Sequence, residues 1–523
     1  MPFIGRRQAL AALGLAPLAP RILRAAEPKR LIGVIEEDPP FFNLAMSSGI
    51  SSFVSSAPCY SALLRMSVIG EMGPDLAESY EISPDGMTYT FKLRKNVEWH
   101  DGHPFSSADV KFSLENVNSK LHPYHGAMNA IDKFEAPDPD TFVLRLKHPQ
   151  VSLIYSLCNF SGAILPKHIW EGKEVARDPH NRQPIGTGPF KFVEYVSGDH
   201  ILYRKNEKYF LPGKPAFDEL MFRIMPDPSS RIAALQKGEV DMLYANAIPA
   251  TEVARIRRFK NIELRFGKIQ TSGYQAYINM RNAPFSDRRV RQAIAHTIDR
   301  AFIRSNVFPG LSEPMVGPVP PTSPLYNKNL VDYALDPAKA NQLLDAAGFP
   351  KKADGTRFEL RFVFGAQDVP AGKISDIMTR NLAGVGIKVI PRPLDRGAWI
   401  QVAFTNGEFD MTTASFSLGP DPDIGIERFY NSNNIFNIVG VNNSGYKNPE
   451  VDKLFDEQRV QVDSAKRKAI YDKISEIIWN DLPILPFSTY ALPGAFNSAA
   501  VTGIYDGEST AREDFVFAKP GKG

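Results

Sequence analysis

Strict alternation of apolar and polar residues marks strands along this chain, and apolar residues three to four apart mark the helices between them. Lys29–Glu36 alternates and predicts a first strand. Ser47–Leu64 follows, rich in Ser and Ala, and ends in a helix-like Tyr60-Ser-Ala-Leu-Leu64. Tyr89-Thr-Phe-Lys-Leu-Arg94 alternates cleanly and predicts a half-buried strand, with Asp101-Gly102 as the turn beyond it. Ser106 then caps a helix running to Leu114.

Two βαβ-like units carry the architecture. In the first, Leu220, Phe222 and Ile224 share one strand face. Asp227-Pro228 supplies a cap and a first-turn proline, Gly238 ends the helix, and Val240–Tyr244 returns as a strand. In the second, Phe358, Leu360, Phe362 and Phe364 alternate, a helix runs to Val385 and closes at Gly386, and Ile387–Ile390 is the next strand. A helix over Arg396–Thr405 leads into Gly407-Glu-Phe-Asp-Met411, which nearly repeats Gly238-Glu-Val-Asp-Met242. The echo predicts two α/β lobes built on similar logic.

Ser286 or Asp287 caps a helix whose buried stripe is Val290, Ile294, Thr297 and Ile298. Asp336-Pro337 and Gly348 bracket another, and Ser464–Trp479 is a third. Gly310–Pro324 reads as an ordered surface loop and Leu482–Phe487 as a crossover.

The amino terminus changes the picture. Arg6-Arg7 precede a short apolar run from Ala9 to Ala19, with small residues at Ala25-Ala26. The run is shorter than the roughly 20 apolar residues a bilayer span needs. It reads as a cleaved signal peptide over residues 1–26, of twin-arginine or Sec type. No Cys lies near the cleavage site to take a lipid anchor, so the mature protein is expected to be exported and soluble. The chain carries +3 overall, and the four arginines of the leader leave the remainder with one net negative charge. That gives no electrostatic footprint for nucleic acid. Cys59 and Cys158 have two readings in an exported chain, a disulfide or two buried thiols.

The chain has no Gly-x-Ser-x-Gly elbow, phosphate-binding glycine loop or His-Glu-x-x-His. His100-Asp-Gly-His103 and His122-Pro-Tyr-His125 have metal-compatible spacing, but both lie in turn-like sequence and lack further ligands. Neither an enzyme nor a cofactor or metal site is expected.

Gly186-Thr-Gly-Pro-Phe190, Ala233–Asp241, Asp85–Gly102, Pro104–Leu114, Tyr277–Ala295 with Ile298-Asp-Arg300, Asp421-Pro-Asp423 and Asn480–Pro486 occur in one order across most of the chain. In that order they resemble the family-5 extracellular solute-binding proteins of ABC importers, which serve peptides, nickel and related solutes. The resemblance implies an α/β, two-lobed, class-II-type periplasmic binding protein (cluster C) with an extra subdomain in lobe one. Lobe one would cover 27–270, with the subdomain at about 65–185. Lobe two would cover 271–486, with a return to lobe one over 487–523. The crossings are expected near Lys268–Tyr274 and Pro486–Tyr490. The implied partners are a small, peptide-like solute and an ABC permease in the inner membrane, with the protein itself a periplasmic monomer. A sugar, opine, cationic compound or nickel chelate, or a sensory role, is the alternative.

In dipeptide-binding relatives an acid after an aromatic grips the ligand's amine, and an Arg in another lobe-two loop grips its carboxylate. Here Phe416 stands at the aromatic position, with Ser417 beside it and Asp421 as the nearest acid. The second loop, Gly365-Ala-Gln-Asp-Val-Pro370, holds no Arg, so the carboxylate clamp is missing. Ser48 and Ser51 match a lobe-one loop that faces the cleft. Trp399 either stacks on solute or packs on its sheet. Asp421 and Asp423 either contact solute or serve the turn at Pro420 and Pro422. Tyr274 completes the candidate set by its place beside the first crossing.

Overall fold

A computed structural model of the protein describes residues 28–46, 50–67, 70–122, 125–159, 161–243, 247–249, 252–266, 272–490, 493–504 and 515–522. The predicted leader and Ser48 lie outside them. Among the described residues, no helix is long and apolar enough to cross a membrane.

Lobe one rests on a four-stranded sheet. Arg30–Ile35 pairs in parallel with Glu219–Ile224, followed by the antiparallel strands His200–Lys205 and Phe190–Val196. A second sheet places Pro493–Asn497 between Met242–Leu243 and Ile262–Phe266. The first βαβ reading is therefore corrected in one respect. Its helix, Pro228–Lys237, is capped by Asp227 and stopped by Gly238 at φ +74° as expected. Its return strand, however, joins the second sheet instead of the first.

The subdomain has its own four-stranded antiparallel sheet, Ala77–Ile82, Thr88–Leu93, Thr141–Leu146 and Ile131–Asp138 in spatial order. Its separate core includes Leu63, Phe91, Trp99, Phe142 and Leu157. Helix Ser107–Phe112 covers this sheet, opened by a capping box between Ser106 and Asp109. Tyr60–Leu64 is not helical. The helix stops at Ser56, Ala57–Cys59 forms one 3₁₀ turn around Pro58, and Leu64–Met66 is a short strand.

Gly186 and Gly188 bring the chain leaving the subdomain against the Pro58–Tyr60 turn of lobe one. A Cβ on Gly186 would lie 1.8 Å from the Cys59 carbonyl oxygen, and one on Gly188 would lie 2.5 Å from the Cys59 carbonyl carbon. Only glycine lets the two backbones approach this closely. Gly188 N–H then donates to Cys59 O at 2.9 Å. Cys59 and Cys158 are both buried and not joined to each other, and Cys158 Sγ donates to Tyr155 O at 3.3 Å, so the two readings of the pair resolve against a disulfide.

Lobe two is one six-stranded sheet, in the order Ser312–Glu313, Ile484–Tyr490, Ser272–Ile278, Met411–Ser417, Phe358–Gly365 and Ile387–Leu394. Phe358–Gly365 and Ile387–Leu394 pair in parallel around helix Val369–Gly384, as the alternation predicts. Two readings change. Leu482–Phe487 is no crossover, because Ile484–Tyr490 is an inner strand of this sheet. Pro486 is tolerated there at a register irregularity opposite Tyr274/Gln275. Gly310–Pro324 is only partly a surface loop, since Leu311, Met315 and Val319 are buried beneath it.

Candidate functional site

Strand direction gathers one set of loops at one edge of the lobe-two sheet. Met411–Ser417 runs parallel to Phe358–Gly365 and antiparallel to Ser272–Ile278, with Ser417 opposite Ser272. The carboxyl ends carrying Phe416–Ser417 and Gly365–Asp368 therefore lie where the chain enters from lobe one. In the facing sheet, Phe266 pairs with Pro493, so the strands flanking both links are neighbours. The outer carboxyl ends of strands are where open α/β sheets leave a crevice for ligand.

Phe416 sits on this edge within an aromatic cluster. Its ring centroid lies 5.8 Å from Tyr277, 5.6 Å from Phe429 and 6.4 Å from Phe404. Those three are buried and Phe416 is half-buried, so it is the member that faces outward. Arg428 lies over the Phe429 ring at 4.5 Å and donates to Ser417 O at 2.8 Å, fixing the loop beyond the strand.

Trp399 serves the sheet. Its indole N–H donates to Thr412 Oγ1 at 3.0 Å and its ring packs edge-on against Phe404 at 5.1 Å. Tyr274 is also inward, 3% exposed, and lies within the strand instead of the crossing. Its hydroxyl donates to Asp368 Oδ2 at 2.8 Å. Asp368 caps the following helix through Ala371 N–H, and burial raises its carboxyl pKa. Tyr274 thus positions the Gly365–Asp368 loop. Ser51 donates to Glu37 Oε1 at 3.2 Å in the loop after the first strand of lobe one. Beside it Glu36 is half-buried, and its pKa is raised by desolvation.

Asp421 is corrected to a structural role. It is 4% exposed, and both oxygens accept from Arg467, at 2.8 and 2.7 Å. Its carboxylate is neutralised by a bidentate partner that fits it. Asp423 does something that neither reading anticipated. Gln150 Nε2, from the subdomain, donates to its Oδ2 at 2.8 Å, and the Ser152 hydroxyl donates to the same oxygen. On the lobe-two side Gln458 and Arg459 meet it as well. Asp423 therefore ties lobe two to the subdomain across the interface. Nothing in a single sequence couples positions so far apart, so Gln150, Ser152, Glu427, Arg459 and Arg467 carried no signal.

Two cavities adjoin this tie. Asp423 lines the larger, of about 580 Å³, with His125, His148, Gln150, Asn431 and Arg459. Pro422 lines the smaller, of about 240 Å³, with Met66, Tyr155, Pro320 and Leu418. Both have walls from the subdomain and from lobe two. The histidines noted in the sequence make other contacts. His100 turns inward to Gly188 O at 3.0 Å, and burial pushes it down to about 4, whereas His125 Nδ1 lies 2.7 Å from His122 O. Among the described residues, one group of histidine and acidic side chains is close enough to share an ion, Asp101, His103 and His168, and it lines neither cavity.

The family model for bacterial extracellular solute-binding proteins, family 5 middle, matches residues 71–437. The dipeptide-binding protein of Escherichia coli (strain K12) is 33% identical over 370 residues, 66% of this chain and 68% of that protein. Among solved structures, AgaA of A. tumefaciens R10 in complex with agropinic acid is 28% identical. It has a TM-score of 0.77 over 94% of this chain and 98% of its own. The oligopeptide-binding protein AppA of Bacillus subtilis in complex with a nonapeptide is 25% identical. Its TM-score is 0.78 over 94% of this chain and 100% of its own.

Proposed function

The chain belongs to the bacterial extracellular solute-binding proteins of family 5, and on that premise we propose that it captures a peptide-like solute between its lobes. It would do so in the periplasm after export, as a soluble monomer, and deliver the solute to the permease of an ABC importer. The observation that carries the reading is the half-buried Phe416, turned outward from a buried aromatic cluster at the edge where the two sheets meet. A solute contacting both lobes favours the closed form and shifts the population toward it.

The site argues against free dipeptides. The Gly365–Asp368 loop offers no Arg, and its acid is already engaged by Tyr274. Without a bidentate cation, a terminal carboxylate loses its anchor. A longer peptide read through its backbone, stacked on Phe416 and approached by Ser51 and Ser417, fits these groups better. An opine is the second reading, favoured by the likeness to the agropinic acid complex.

A thermal-shift screen of purified protein tests both readings, because ligand bound only to the native state raises the unfolding midpoint. The panel is peptides of two to eight residues, opines, sugars and nickel chelates. Longer peptides should raise the midpoint and Phe416→Ala should remove the rise. A response to opines alone would replace the peptide reading, and a response to no solute would overturn both.

A further inference from the structure

We propose that Asp101, His103 and His168 form a surface site for one divalent transition-metal ion of the imidazole-binding kind, such as Zn²⁺. The inference is independent of the solute reading. His103 Nδ1 lies 3.2 Å from Asp101 Oδ1, and His168 Nε2 lies 2.8 Å from Asp101 Oδ2. All three donor atoms fall within 4.8 Å of one another. Around a four-coordinate zinc with bonds of about 2.0–2.1 Å, neighbouring donors stand about 3.3 Å apart. Of the three edges, His103–Asp101 already has that length, His168–Asp101 must open by about half an ångström, and the edge between the two imidazole nitrogens lies within 4.8 Å. Two neutral imidazoles and one carboxylate make a three-ligand set, and solvent reaches it to supply the fourth. The side chains of Asp101, His103 and His168 are 25%, 59% and 29% exposed.

The supports are built from the backbone. Gly102, at φ +91°, closes a tight turn in which Gly102 N–H donates to Trp99 O and Trp99 N–H to His103 O, both at 2.8 Å. The turn aims Asp101 and His103 to the same side, and His103 N–H donates to Asp101 Oδ1 at 3.2 Å. His168 stands on the short helix Lys167–Trp170, whose first N–H is held by Asp109 at 2.9 Å. Its ring stacks on His103 at 4.1 Å, with buried Trp99 behind it at 6.4 Å. An ion here would replace hydrogen bonds between the turn and the helix with coordinate bonds. It would thereby staple two subdomain segments 67 residues apart.

The test is calorimetric titration of ZnCl₂ into chelator-treated, tag-free protein without solute, with thermal unfolding in parallel. One ion per chain and a raised midpoint are expected. His103→Ala and His168→Ala should each weaken binding about tenfold or more and remove the rise in midpoint. His125→Ala and Phe416→Ala should bind Zn²⁺ as the unaltered protein does. Failure of the unaltered protein to bind, or binding in His103→Ala and His168→Ala that falls less than about tenfold, would overturn the site.

Discussion

At the scale of single residues, the motif glycines are explained by what they touch. Gly188 has its backbone against Cys59, where a Cβ would meet backbone atoms at 2.5 Å that cannot swing aside. Gly188→Ala should therefore destabilise the protein by at least about 2–3 kcal/mol in urea unfolding, as overpacking does. Gly126→Ala, with open space around it, is the neutral control. Residue identity marked the Gly186–Phe190 motif in the sequence, but not the backbone that Gly188 lies against. Asp421 shows where legibility stops. Its sequence neighbours, Pro420 and Pro422, gave no hint of Arg467, which arrives from a helix 46 positions away and takes both carboxylate oxygens.

At the scale of elements, the repeated pentads turn out to do the same work twice. Asp241 N–H donates to Ile32 O at 2.8 Å and its carboxylate accepts from Ile32 N–H at 2.8 Å. Asp410 makes the equivalent exchange with Arg361, at 3.1 and 2.9 Å. In each lobe one acid, placed after a helix-stopping glycine, stitches an incoming strand to an earlier one, across two sheets in lobe one and between parallel neighbours in lobe two. Asp410 also pairs with the Arg361 guanidinium and accepts from Asn282. Asp241→Ala should accordingly cost about 1–2 kcal/mol and Asp410→Ala about 2–4 kcal/mol, measured by the same unfolding assay. Helices were legible through caps and stops, because Asp227, Asp287 and Asp336 each accept from an N–H of the first turn. Sheet membership was not. The Met242–Leu243 strand could not reveal that its partner, Pro493–Asn497, lies some 250 residues downstream.

At the scale of the whole molecule, the tie between subdomain and lobe two is tuned by charge. Burial, then the neighbouring Asp423 carboxylate, raise the Glu427 pKa from 4.5 to about 8, against the pull of Arg459. Because the folded value lies above the ordinary one, the stability Glu427 lends is complete below 4.5 and is lost as pH rises through about 8. The unfolding midpoint should fall between about pH 4.5 and pH 8, and Glu427→Gln should flatten that fall. An unchanged slope in the variant would remove Glu427 from the account. This part of the molecule was the least legible, because Gln150 and Ser152 reach Asp423 only when subdomain and lobe two meet.

The paired strands that border the two junctions between the lobes have a mechanical meaning. In each lobe the two strands at these junctions are paired with one another, Phe266 opposite Pro493 in lobe one and Ser272 opposite Tyr490 in lobe two. Two side-by-side attachments act like the pins of a door. They allow swing about one axis and resist twisting about the others. If solute holds such a door shut, the outer faces of the two lobes would arrive in nearly the same relation for every cargo. A membrane partner could then recognise a single silhouette, and the chemistry of the cargo could vary behind it without altering what that partner meets.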